Sequence, residues 1–101
     1  MFSLMKKQKH YTVTLTQMTG TDPNTVQTLT FEFEDRECLF KIIEKLKKGD
    51  IVEDNEVPRF ALGLRLIGPL VMSNRKSSLF AEFVPHFKAF MANVKKRVKK
   101  S

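Results

Sequence analysis

Four of the nine phenylalanines, Phe80, Phe83, Phe87 and Phe90, recur at spacings of three and four, which sets them along one side of a helix. Burying one phenylalanine contributes roughly 1.5–3 kcal/mol, against a net stability of about 5–15 kcal/mol for a typical domain. A chain with this stripe is therefore expected to fold around it. The spacing predicts a last helix whose inner face carries Phe87, Phe90, Met91 and Val94. The alternative is a partly exposed stripe that forms a dimer contact or receives a peptide, which requires a larger apolar patch than a monomer usually tolerates.

With 101 residues, 42% of them hydrophobic, the chain suits one domain, expected over 5–98, with 1–4 and 99–101 as flexible ends and Met1 or Met5 as the start. No apolar run reaches the ~18–20 residues of a membrane helix, and the start lacks the pattern of a signal peptide. The expected location is the cytoplasm, with no membrane association. A single cysteine, Cys38, excludes an internal disulfide and reads as a buried thiol on the apolar face of a helix. The net charge of +7 is lopsided: residues 1–31 carry +2, residues 32–56 carry −4 and residues 57–101 carry +9. Such a distribution favours an acidic partner, whether nucleic acid, protein or the acidic patch of a second copy.

Alternation of Tyr11, Val13 and Leu15 with Thr12, Thr14 and Thr16 predicts a half-buried strand. After turn chemistry over Gly20-Thr21-Asp22-Pro23-Asn24, a second strand sets Leu29, Phe31 and Phe33 against Thr28, Thr30, Glu32 and Glu34. The pair reads as an antiparallel hairpin with one wet face. Asp35 is the expected N-cap of a helix bearing Leu39, Ile42, Ile43 and Leu46 inside, with Glu37 in its first turn and Gly49 ending it in the left-handed conformation. Asn55 is the expected cap of the next element, with Pro58 in its first turn. Phe60 to Ile67 fits both periods; length, Ala61 and the Asn-x-x-Pro opening favour a helix that Gly68-Pro69 breaks or kinks. A short helical turn over Leu79 to Val84 and a helix with Pro85 in its first turn complete the pattern.

Two groups of residues invite a ligand. Arg75, Lys76, Ser77 and Ser78 precede a helix start, where free amides and cations together hold phosphate or carboxylate; a polar loop in which a serine caps the helix explains them as well. Lys95, Lys96, Arg97, Lys99 and Lys100 form a cationic end that would bind nucleic acid by counterion release, or simply solubilise a helix terminus. No base-reading element accompanies them. His10 and His86, the only imidazoles, have no metal-ligand partner at helical or loop spacing. Glu32 and Glu34 lie on the wet face of a strand, and phosphate loops and nucleophile elbows are absent. The expectation is no enzyme activity, no catalytic residues, no metal and no cofactor.

From Leu62 to Met91, the run Leu62-Gly63-Leu64, Asn74-Arg75-Lys76, Leu79-Phe80, Pro85 and Phe87-x-x-Phe90-Met91 resembles a family of small bacterial proteins, domain of unknown function 3861. The basic, then threonine-alternating opening from Lys7 to Leu15 is similar to that family's start, so the likeness spans nearly the whole chain from Met5; Gly68-Pro69 departs from its uninterrupted helical pattern. The resemblance implies a small bacterial cytosolic protein and carries over no catalytic residue.

The expected architecture is α+β, an N-terminal antiparallel β-hairpin packed against about three helices, with a helical C-terminal half that sets its phenylalanines against the sheet. The expected function is a non-enzymatic protein-interaction module, with a homodimer as one form of it. The alternative is a nucleic-acid-associated protein using the basic half.

Overall fold

Threonine and large apolar residues in strict alternation favour extended backbone, and both alternating runs become strands in the computed structural model, which describes residues 8–18, 20, 22, 24 and 26–100. Strands β1 (Lys9–Thr16) and β2 (Thr28–Asp35) pair antiparallel, with Val13 opposite Phe31 and Leu15 opposite Leu29. Of the expected turn, Thr21 and Pro23 lie outside the described residues; Gly20 takes φ 70°, and the Asp22 carboxylate accepts the Asn24 N–H at 3.0 Å. The chain divides into two compact units, Met1–Cys38 and Leu39–Ser101.

In the first unit the dry face of the hairpin is only half dry. Tyr11, Val13 and Phe33 are half-buried, whereas Leu15, Leu29 and Phe31 are 65%, 58% and 40% exposed. Asp35 does not stand at the expected N-cap position: it ends β2, four residues before α1 begins, is buried, and its Oδ1 accepts the Glu37 N–H at 2.9 Å, closing the turn that leaves the sheet. Glu37 consequently precedes the helix, and so does Cys38, a half-buried residue in the short connection before α1 and not on a helical face.

The second unit is helical: α1 (Leu39–Lys48), α2 (Val57–Ser73), the single turn α3 (Ser78–Ala81) and α4 (Phe83–Lys100). Helix α1 forms as its i, i+3, i+4, i+7 pattern requires, with Lys45, Lys47 and Lys48 at the negative end of its dipole. It ends differently from expectation. Asp50, at φ 54°, takes the left-handed backbone, while Gly49 serves close packing: a Cβ there would lie 3.3 Å from Val98 Cγ2. Asn55 falls in a 3₁₀ turn over Asp54–Glu56, so Glu56 occupies the N-cap position of α2 without a side-chain bond, and Pro58 sits in the first turn as expected.

Phe60 to Ile67 is helix, and α2 continues unbroken through Gly68-Pro69 to Ser73, correcting the expected interruption. Proline removes one donor from the ladder, but apolar packing on either side holds the helix: Ala61 and Val71 are buried, and a Cβ on Gly68 would meet the Phe87 ring at 3.4 Å. The core gathers Leu46, Val57, Ala61 and Val94, with Ile42, Ile43, Ile51, Val52, Phe60 and Val98 packed against it, where α1, α2 and α4 meet.

The aromatic stripe is not wholly inside. Phe87 is buried, Phe80 is half-buried, and Phe83 and Phe90 are each 46% exposed. At 100° per residue, Phe87, Met91, Val94 and Val98 centre the inward arc, and Phe83 and Phe90 lie about 50–70° to one side of it. The two outer rings find partial shelter, Phe90 edge-on to Phe60 at 6.2 Å and Phe83 tilted against Phe87 at 5.7 Å. The expected inner face thus loses Phe90 and gains Val98.

Candidate functional site

Alternation places Tyr11, Val13 and Leu15 on the same side of the hairpin as Phe33, Phe31 and Leu29, and register makes them three directly opposed apolar pairs. The first pair is held firmly: the Tyr11 and Phe33 rings stack at 5.4 Å and 25°, and the Tyr11 hydroxyl donates to the Glu37 carbonyl at 3.1 Å. Toward the loop the pairs open to water. Leu15 and Leu29 there border a shallow groove of about 620 Å³ together with Gln17, Gln27 and Thr28. Met18 and Val26, next along the chain, are 83% and 46% exposed.

The opposite face is polar and organised around one group. His10 Nε2 lies 2.5 Å from Glu32 Oε1, and Nδ1 lies 3.3 Å from Glu34 Oε2. The hydrogen bond to Glu32, then that to Glu34, raises the His10 pKa above its ordinary 6.5. The cross-strand pairing that creates this cluster was not visible as sequence spacing, because 22 and 24 residues separate the partners. The two carboxylates flank the ring from its two nitrogens and so do not converge on a common point; among the described residues no group of three such side chains could hold a metal ion.

Arg75, Lys76 and Ser77, with Ser73 and Asn74, line an exposed depression of about 400 Å³ between α2 and α3. Arg75 is committed to the end of α2, its Nη1 donating to the Met72 carbonyl at 2.7 Å, and Asn74 Nδ2 donates to the Leu70 carbonyl at 2.8 Å. Ser77 occupies the N-cap position of α3 but makes no side-chain cap bond, and Ser78 is the first residue of that turn. Four residues give α3 too little length for a strong dipole. Lys76 projects into solvent.

Lys95, Lys96, Arg97 and Lys99 are all exposed on α4, while Val94 and Val98 between them turn inward; Lys100 ends the same helix. His86 is exposed near the start of α4. The loop cations thus precede α3, and the helix-end cations occupy the last turns of α4. What sequence reasoning missed is the hairpin's exposed apolar end. Its signal was the length of the strands: two eight-residue strands do not hide an apolar face by themselves.

No helix among the described residues is long and apolar enough to cross a membrane. No match is found among curated proteins. A crystal structure of a protein of unknown function from Pectobacterium atrosepticum superposes with a TM-score of 0.75 at 34% identity, over 89% of this chain and 99% of that one. The family described as a domain of unknown function with solved structure, DUF3861, matches residues 9–96. By that match, which takes in both strands and nearly all of the last helix, the chain belongs to the DUF3861 family.

Proposed function

We propose that the protein is a non-enzymatic interaction module that offers its hairpin to a protein partner. The observation that carries this reading is the solvent-facing apolar row of Leu15, Leu29 and Phe31 on a two-stranded sheet. A hairpin of two strands is marginal in water unless a further strand or surface covers its apolar side, and contiguous exposed apolar surface marks interaction sites. Leu29→Glu tests it, since a charge in this row opposes docking while the position is already 58% exposed. Proteins retained from a lysate of the source organism by the unmodified chain are expected to be lost by the variant with its circular dichroism unchanged. Equal retention by both rejects the reading.

A second reading is favoured by Lys95, Lys96, Arg97 and Lys99, exposed together on α4 with no ion pair among the described residues. They would hold nucleic acid through phosphates alone. Binding to duplex or single-stranded DNA must then fall steeply with salt, with a logarithmic slope of about −0.9 per phosphate contact on duplex. Salt-insensitive binding, or none at low salt, removes this reading.

A further inference from the structure

We infer that the hairpin's partner is a second copy of this chain, joined through the outer edge of β1 to make a continuous four-stranded antiparallel sheet. The inference rests on the module reading and names its partner.

The main-chain geometry identifies which groups are available. Gln17 donates its N–H to the Gln27 carbonyl at 3.3 Å, in register with the strand pairs. Hydrogen-bonded pairs alternate along an antiparallel ladder. Tyr11, Val13 and Leu15 therefore direct their main-chain groups toward β2, and Thr12, Thr14 and Thr16 direct theirs away from it. Among the described residues the sheet holds two strands only, so this outer row has no strand beside it.

Charge decides between the two edges. Proteins protect exposed edges with charged side chains. β2 carries Glu32 and Glu34, which reach across to His10 of β1, and two β2 strands brought together would set the acids of both copies on neighbouring rows. β1 carries no charge from Tyr11 to Thr16. A two-fold axis through Val13 pairs residues of like parity, which keeps the apolar faces of both copies on the same side. Val13 then opposes Val13, Tyr11 opposes Leu15, and Thr12 opposes Thr14 of the second copy. Lys9 falls opposite Gln17, with its counterpart about 27 Å away at ~3.4 Å per residue. Facing threonines repeat a pairing the chain already makes, where Thr14 and Thr30 hydroxyls approach to 3.3 Å. The result is an apolar face four strands wide, the arrangement a lone hairpin lacks.

Proline separates the two edges cleanly. Thr14→Pro removes an outward N–H of β1, Thr30→Pro removes the equivalent outward N–H of β2, and both lose the Thr14–Thr30 contact. By sedimentation and light scattering, the unmodified chain is expected at twice its 11.7 kDa mass. Thr14→Pro should weaken self-association by ~10-fold or more, while Thr30→Pro leaves it within a factor of about three. A second pair of variants covers the case in which proline unfolds the hairpin: Thr12→Lys/Thr14→Lys opposes like charges twice across the axis and should dissociate the dimer, and Thr12→Lys/Thr14→Glu should restore it. A monomer throughout the micromolar range overturns the inference, as does equal dissociation by both prolines or by both charged pairs. If that monomer still retains a protein that Leu29→Glu loses, self-pairing alone fails; if it retains none, the module reading fails too.

Discussion

Gly49 lies against Val98: a Cβ on the glycine would stand 3.3 Å from Val98 Cγ2 and 3.4 Å from its Cα, so the end of α1 and the last turns of α4 meet at a point where no side chain fits without movement. Because Gly49 has no positive φ, space and not backbone conformation is what an alanine there would disturb. Gly49→Ala is expected to destabilise by about 1 kcal/mol, and by less in a Val98→Ala background. A double-mutant cycle by urea denaturation checks the coupling; strict additivity would remove the contact from the account.

Gly63 presents the opposite case. It lies within α2, is exposed, and a Cβ there would meet nothing within 4 Å. Gly63→Ala should therefore raise stability by about 0.5–1 kcal/mol through helix propensity and a less flexible unfolded chain. An unchanged or lower urea midpoint contradicts this.

The stripe on α4 should show a graded response to truncation. Phe87→Ala, at a buried position touching Phe83 and lying over Gly68, is expected to cost about 3–5 kcal/mol. Phe90→Ala, at 46% exposure, should cost about half as much. Equal losses would mean that Phe90 is shielded in solution, as a partner on that face would shield it.

His10 is expected to titrate above 6.5, since its bonds to Glu32 and Glu34 favour the protonated ring. The folded form thereby binds its proton more tightly than the unfolded chain. This contribution to stability is complete below 6.5 and is lost as pH rises through the raised folded value. Imidazole NMR shifts against pH should give a midpoint above 6.5 that Glu32→Gln lowers; a midpoint at or below 6.5 in the unmodified chain is the contrary result.

Local patterns in the chain spoke clearly where one neighbourhood settled the outcome. Threonine alternation placed both strands, Ile42, Ile43 and Leu46 placed α1, and Pro58 marked the start of α2. Features set by distant contacts were hidden. Spacings of three and four put Phe83, Phe87 and Phe90 on one side of a helix, but only the position of α2 shows that the inward arc centres nearer Val94 and Val98. Asp35 had the chemistry of a helix cap, but β2 extends far enough to include it, and its carboxylate accepts the Glu37 N–H where the chain turns out of the sheet. The hairpin's uncovered end became visible only once strand lengths and exposures were known.

Asp50 takes up the bend that Gly49 was expected to make, at φ 54°. Short polar residues and glycine visit that backbone region at little expense, whereas a β-branched residue meets a steric penalty of about 1–2 kcal/mol. Natural variation among relatives should accordingly run between aspartate, asparagine and glycine at this place, with valine, isoleucine and threonine missing, while the preceding position should favour glycine wherever valine stands at the place of Val98.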